Sequence, residues 1–495
     1  MRALIRLKTL LLAALVLAMA GCAHYPVNPE LDKIDLNTGY RYSVVRQMPG
    51  PDKPFVILAF SGGGTRAAAF SYGLLKELKE VSYTSAQGEK KRLLDDIEII
   101  SSVSGGSFTS AYYTLFPDKF FDEFPGAVLY ENMEMELIKR LANPYNWYRL
   151  ASGNFSRIDM AEEYYSKEIF KKKTFRDLLS KPKGTSPFLV LNATDISITH
   201  RFEFTQDQFD LLCSDLAGVS IARGVAASSN FPVAFAPLTL DIYKKKNCGA
   251  LPGWIEPALS LEKNPARRYF DAVAAASYRD PDRRYCHLLD GGLSDNLGLR
   301  GPYQAVTTLD SAWSVLKQAN LSKLSNLMVI AVNAKTTKHH DWDKSSKPPG
   351  IKDVLGVVTG GPMDDVSLDS VEMAGNHFDY MKQLADTVDG CNKVLKRKCP
   401  EAGSITNPIA TKFSFCELSF ERVKDNCLRR YLQALPTNFN LDATAVDLLT
   451  QVAAQLFNQS DEFIKGMQQL DPTWKPRQVV ISPDLIKKVC GAGNS

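Results

Sequence analysis

The sequence carries little net charge. Its 59 lysines and arginines stand against 55 aspartates and glutamates, a formal +4. Arg2, Arg6 and Lys8 supply three of those charges, so the rest of the chain is close to neutral and gives no support for nucleic-acid binding. Long hydrophobic runs are also missing, since the apolar stretch Leu10 to Ala20 is too short to span a bilayer. None of the cysteine spacings forms the close C-x-x-C pairs of a structural zinc site. There are no internal repeats, and nothing in the pattern calls for a metal or another cofactor.

What is present begins at the N-terminus. Arg2 to Lys8 form a basic start, Leu10 to Ala20 an apolar stretch, and Met19-Ala20-Gly21-Cys22 a small-residue site ending in cysteine. This arrangement resembles the lipobox of a bacterial lipoprotein, which implies cleavage before Cys22, lipidation of that cysteine and, with Ala23 rather than aspartate next, sorting to the outer membrane. An ordinary secretory signal is the alternative. Residues 1–21 are thus expected as signal peptide. Residues 22–52, with Pro26, Pro29, Gly39, Pro49, Gly50 and Pro51 and little periodicity, are expected as lipidated cysteine and tether. Beyond Cys22 lie eight cysteines out of nine in all. An even count in an exported chain is compatible with disulfides whose pairing stays open. Buried free thiols are the other reading, and they suit Cys391, Cys399, Cys416 and Cys427 least.

The core begins at Pro54-Phe55-Val56-Ile57-Leu58-Ala59-Phe60, a continuous apolar run suited to a strand buried on both faces. A turn, Ser61-Gly62-Gly63-Gly64-Thr65-Arg66, and helical spacing from Ala67 to Val81 follow. Ile97-Glu98-Ile99-Ile100, a turn at Ser104 and a helical stretch repeat the arrangement, which argues for a parallel sheet covered on both faces. Further strands are expected at residues 187–192, 201–204, 286–289 and 326–332. The stretch 116–186, rich in aromatic residues, reads as an insertion that either packs its own core or covers a site and faces lipid. Residues 336–495 read as a helical, cysteine-bearing extension.

Three pieces carry chemistry. Gly62-Gly63-Gly64 directly after a strand lets successive backbone N–H groups converge on one point, as an oxyanion requires, and Arg66 adds positive charge nearby. In Ser102-Val103-Ser104-Gly105-Gly106, Ser104 sits at a sharp strand-to-helix elbow whose neighbours two residues away must be small. A serine needs a base within reach, and Asp290 in His287-Leu288-Leu289-Asp290-Gly291-Gly292 is an acid at a strand end. Free aspartate is a weak base, so its surroundings must raise its affinity for a proton.

In these residues the sequence resembles the patatin-like phospholipase family. The oxyanion motif Gly-Gly-Gly-x-Arg/Lys falls on Gly62 to Arg66, and the nucleophile motif falls on Ser102 to Gly106 with Ser102 in place of its first glycine. The Asp-Gly-Gly/Ala motif falls on Asp290 to Gly292. Asn192 to Asp195 and Ala226 to Pro232 are weaker family-like stretches with a structural reading. The resemblance covers residues 55 to about 333. It implies a patatin-like α/β fold with a catalytic domain over 53–335, and a Ser104–Asp290 dyad without histidine. It further implies an oxyanion held by Gly62 to Gly64 and membrane phospholipids as substrate.

Three other readings stay open. One is a Ser-His-Asp hydrolase using His339, His340 or His377, and another is a membrane-anchored scaffold of the same fold without activity, suggested by Ser102. The third is a dinucleotide site, since Gly62-x-Gly64-x-x-Ala67 meets that fingerprint, although Ser82 to Lys91 lacks the second strand the fingerprint wants. The basic runs Lys171 to Lys173 and Lys244 to Lys246 suit either anionic headgroups or a solvated face.

Overall fold

In the computed structural model, which describes residues 24–47, 50, 53–232, 234–244, 248–260, 262–263, 266–307, 324–337, 341–344, 346–407 and 411–491, the first apolar run forms β1 (Phe55–Phe60). All six of its residues are buried. Helix α1 (Gly64–Glu80) follows the glycine turn, then β2 (Ile97–Val103), and α2 (Gly105–Leu115) starts at the serine elbow. The sheet is completed by β3 (Phe188–Asp195), β4 (His200–Glu203), β5 (Leu238–Asp241), β6 (Tyr285–Asp290), β7 (Asn326–Asn333) and β8 (Lys412–Ser419). These eight strands run in the order β8-β7-β1-β2-β3-β6-β5, with β4 also paired to β3. The pairs from β8 across to β3 are parallel, whereas β3 with β6, β3 with β4 and β5 with β6 are antiparallel. The result is a mixed sheet dominated by parallel strands and flanked by helices. The parallel part reads in sequence as near-continuous apolar runs because it is buried on both faces.

Register places the chemistry. Val103, the last residue of β2, lies opposite Asn192 of β3, and Asp290, the last of β6, lies opposite the next residue, Ala193. Two strands that arrive from different parts of the chain therefore end at the same point on β3.

The C-terminal region is helical, with α3 (Ile351–Lys398) and α4 (Ala443–Gln459) as its main elements. It also contains β8, a strand the sequence reading does not expect. All eight of its residues pair in parallel with β7, and α4 packs along α1. Residues 24–47, expected as a lead-in of little periodicity, lie against the sheet. Tyr40 stacks on Phe188, and the Arg41 guanidinium bonds Asp207 and Asp210. Cys22 and the signal segment lie outside the described residues. The polar stretch after α1 forms a two-stranded antiparallel ribbon, Ser82–Thr84 with Lys90–Arg92, separate from the main sheet, and the next sheet strand, β2, ends in Ser101-Ser102-Val103 rather than in the acid the dinucleotide fingerprint wants. Disulfides join Cys213 to Cys248 and Cys427 to Cys490. Cys286 and Cys416 are buried thiols, while Cys391 and Cys399 are exposed thiols rather than members of a disulfide-tied set. No helix among the described residues is long and apolar enough to cross a membrane.

Candidate active site

Ser104 occupies the elbow with φ 48° and ψ −119°, a left-handed backbone that costs a residue with a side chain of order 1–3 kcal/mol. Its surroundings hold it there. The Ser104 N–H donates to the Ser228 Oγ at 2.9 Å and to the Ser228 carbonyl at 3.2 Å. Gly105 cannot carry a side chain, because a β-carbon would lie 1.9 Å from the Gly64 carbonyl oxygen. The elbow and the glycine loop thus meet backbone to backbone.

Ser102, where a glycine is expected, is accommodated. Its hydroxyl lies 2.6 Å from the Ser110 hydroxyl and accepts from Ser107 at 3.2 Å, while Asn192 Nδ2 donates to its carbonyl. A buried hydroxyl with partners on both sides carries no desolvation penalty of the kind an orphan group would.

Asp290 is held with equal care. Its N–H donates to the Asn230 carbonyl at 2.9 Å, and Oδ1 accepts the Gly292 N–H at 2.8 Å. The Ser104 side chain lies near enough to favour the charged form of Asp290. Burial pushes the Asp290 carboxyl up to about 6, outweighing the lowering effect of the Gly292 and Ser104 hydrogen bonds. A carboxylate at that value keeps its charge at neutral pH while holding a proton far better than a free aspartate. Ser228 links the two loops, since its carbonyl accepts N–H groups from both Ser104 and Gly291 at 3.2 Å.

The glycine loop divides its tasks. The Gly62 N–H donates to the Asn296 carbonyl at 2.9 Å, so it is not a free donor, contrary to the expectation that all three glycines present one. Gly62 instead provides clearance, as a β-carbon there would lie 2.5 Å from Asn296 Oδ1 and 3.3 Å from Ser104 Cβ. The Gly63 and Gly64 N–H groups have no acceptor among the described residues and open the first turn of α1. Arg66 lies against this loop, its Nη2 3.0 Å from where a β-carbon on Gly63 would be. Its guanidinium donates to the carbonyls of Ala334 at 2.9 Å and Leu435 at 2.7 Å and to Thr437 Oγ1 at 3.1 Å. It fixes the loop against the C-terminal region. Asn438 completes that seat, its carbonyl accepting the Thr65 N–H at 2.8 Å.

Ser228, Asn230, Asn296 and Asn438 are therefore positioning residues that motif reasoning does not single out. The first two fall in the family-like stretch read as structural, and their structural task is to hold Ser104 and Asp290. No local signal marks the other two.

The site is closed, with Ser104 7% and Asp290 4% exposed. Met363 of α3 sits over the Asp290 turn, its Cε 3.3 Å from where a β-carbon on Gly292 would be. A cavity of about 70 Å³ elsewhere is lined by His200, Glu203, Asp271 and Gln304 among others and includes neither Ser104 nor Asp290. In its wall His200 pairs with Asp271 and Gln304 with Asp271.

The described histidines have other neighbours. His287 contacts Thr239, His200 pairs with Asp271, His24 reaches the Tyr25 carbonyl, and His377 packs on Tyr303. His339 and His340 lie outside the described residues. Among the described residues no group of three or more His, Cys, Asp or Glu side chains is arranged to hold a metal ion.

Comparison with known proteins follows this geometry. The family model for patatin-like phospholipase matches residues 58–303. No curated protein matches the chain. Among solved structures, human GIVD cytosolic phospholipase A2 aligns over 59% of this chain and 48% of its own, at 13% identity and a TM-score of 0.34. The same enzyme in complex with methyl gamma-linolenyl fluorophosphonate aligns over 57% of this chain and 40% of its own, at 15% identity and a TM-score of 0.30. VipD from Legionella pneumophila aligns over 86% of this chain and 70% of its own, at 12% identity and a TM-score of 0.24. The chain spans about half the length of the first of these, and at such TM-scores the likenesses carry no argument about mechanism.

Proposed function

Residues 58–303 are a patatin-like phospholipase domain, of the lipid acyl hydrolase kind, and on that premise we propose a membrane-anchored serine hydrolase of the phospholipase A or lysophospholipase type that works through Ser104 and Asp290. The observation that carries this reading is the register that ends β2 and β6 at the same point on β3, with the buried Asp290 carboxyl raised to about 6.

In this cycle Ser104 Oγ attacks the ester carbonyl carbon as its proton passes to Asp290. The carbonyl oxygen becomes an oxyanion received by the Gly63 and Gly64 N–H groups, with the N-terminus of α2 directly behind Ser104. When the intermediate collapses, the carbon–oxygen bond to the alcohol breaks and the alcohol leaves with the proton from Asp290. The same carboxylate then takes a proton from water, whose oxygen attacks the acyl-serine; as the carbon–Oγ bond breaks, Asp290 returns that proton to Ser104 Oγ, and a fatty acid and free Ser104 result. Every step is nucleophilic or acid–base, so the cycle uses no cofactor.

Anchoring through a lipidated Cys22 at a bacterial outer membrane is the second part of the proposal. The basic start, the short apolar stretch and the Met19 to Cys22 site support it. Acyl chains contribute about 0.8 kcal/mol per buried CH₂, so a multiply acylated terminus is a stable anchor. Two experiments test the proposal. Release of fatty acid from phospholipid or p-nitrophenyl esters should be present in the wild type and lost in Ser104→Ala and Asp290→Asn. Equal rates in all three remove the dyad. Fractionation of Cys22→Ser against wild type reads the anchor, which is removed if both stay with the membrane alike.

A further inference from the structure

The insertion between α2 and β3 carries an apolar surface that its own folding does not need. In the helix Met133–Ala142, Met133 and Leu137 face inward and are buried, which satisfies the packing of that helix. Met135, Ile138 and Leu141, spaced three apart, form a second apolar stripe on the outside. The next helix, Pro144–Leu150, adds Tyr145 and Trp147; Ile138 is 56% and Trp147 59% exposed. The Trp147 Nε1 donates to the Leu141 carbonyl at 2.9 Å, which fixes the indole at the end of the stripe so that both helices present one surface.

A cationic rim borders it. Lys139 and Lys167 have side chains 64% and 68% exposed, and Lys171 and Lys172 are exposed on a turn whose two residues both take left-handed backbones, φ 52° and 58°. Arg140 Nη2, 3.7 Å from Glu168, ties this turn to the apolar helix. Of the neighbouring acids, Glu136 pairs with Lys139, Glu163 with Arg149 and Glu168 with Arg140 and Lys167. Such a rim complements anionic headgroups.

The point where the chain enters agrees. The Tyr25 N–H donates to the carbonyl of Asn154, in the loop just beyond the second helix.

We propose that the outward face of residues 133–147 is a docking surface for an anionic lipid bilayer, with Tyr145 and Trp147 at headgroup depth and the lysine rim on the headgroup charges. The surface rests on the proposed lipid substrate and adds how the enzyme meets it. It also bears on the site. Glu134 of the same helix accepts the Phe439 N–H at 3.1 Å, the Phe439 ring packs edge-on to Phe108 of α2, and Asn438 seats the glycine loop.

The test uses the full chain with Cys22→Ser, so that acyl chains do not dominate binding. Flotation with phosphatidylglycerol-containing vesicles, compared with pure phosphatidylcholine vesicles, reads docking. Hydrolysis of monomeric p-nitrophenyl butyrate reads the site independently. The parent should float with the anionic vesicles, and Ile138→Ser, Trp147→Ser and a Lys139→Glu/Lys171→Glu/Lys172→Glu variant should each bind roughly tenfold more weakly while hydrolysing the monomeric ester at the parent rate. Ile138→Ser touches no hydrogen bond, which covers a Trp147 variant that fails to fold. Equal flotation of parent and variants overturns the proposal, as does a parent that ignores anionic vesicles or self-associates through this face by light scattering. A parent that floats but leaves the monomeric ester untouched removes the hydrolase reading and leaves the docking surface standing.

Discussion

Replacing Asp290 by asparagine should destroy activity and stabilise the protein at the same time. Burial raises the carboxyl from its ordinary 3.8 to about 6. Because the folded protein then holds the proton more tightly than the unfolded chain, the stability this group contributes is complete below about pH 3.8 and is lost as pH rises through about 6. At ~1.4 kcal/mol per pH unit, the difference amounts to about 3 kcal/mol of destabilisation by a charged Asp290 above neutral pH. The amide avoids it and its oxygen still accepts from Gly292, but its NH₂ needs a new acceptor, which reduces the gain by about 1 kcal/mol. For the 495-residue chain, an unfolding entropy of ~2 cal/mol/K per residue turns ~2 kcal/mol into a rise of about 2 °C in Tm. Thermal unfolding of both proteins from pH 4 to pH 8 is the assay. The Tm difference should favour Asp290→Asn at pH 8 and shrink steadily toward pH 4. A difference that stays flat with pH, or a variant less stable at pH 8, refutes the claim that burial activates this carboxyl.

Three further outcomes follow from the same geometry. Since Asp290 must be ionised to accept the Ser104 proton, kcat/KM should be low in acid, rise through about pH 6 and stay level above it; a profile rising only above pH 8 points to another base. Gly64→Ala places a β-carbon 2.1 Å from the Asn438 carbonyl at a φ of +61°, so urea unfolding should show a loss of about 2–4 kcal/mol, and unchanged stability contradicts the packed loop. Alkylation of the native protein followed by mass spectrometry should mark Cys391 and Cys399, reach Cys286 and Cys416 only on unfolding, and reach Cys213, Cys248, Cys427 and Cys490 only after reduction.

What the sequence makes legible is local. Phe55–Phe60 is an uninterrupted apolar run because both its faces are covered, and the Ser104 elbow is visible because its small neighbours are adjacent in the chain. β8 escapes notice because Lys412–Ser419 breaks its alternation at Cys416-Glu417 and stands alone among helical patterns, and its partner β7 is a distant segment. Arg66 illustrates the same limit. Its chain position beside the glycines suggests an electrostatic task, yet its direction is set by the carbonyls of Ala334 and Leu435, which lie 268 and 369 residues away. Asn296 and Asn438 act through backbone carbonyls, which any residue type could supply, so composition does not reveal them. The doubt raised by Ser102 is answered only by the hydroxyls of Ser107 and Ser110, which fold back beneath it.

The most direct test of the account is covalent labelling by a fluorophosphonate, which reacts with a serine only when a base takes its proton. The wild type should gain a single adduct located on Ser104, Ser104→Ala should gain none, and Asp290→Asn should react far more slowly. An adduct on another serine, or an Asp290→Asn protein labelled as fast as the wild type, contradicts the central claim that a buried aspartate alone activates Ser104.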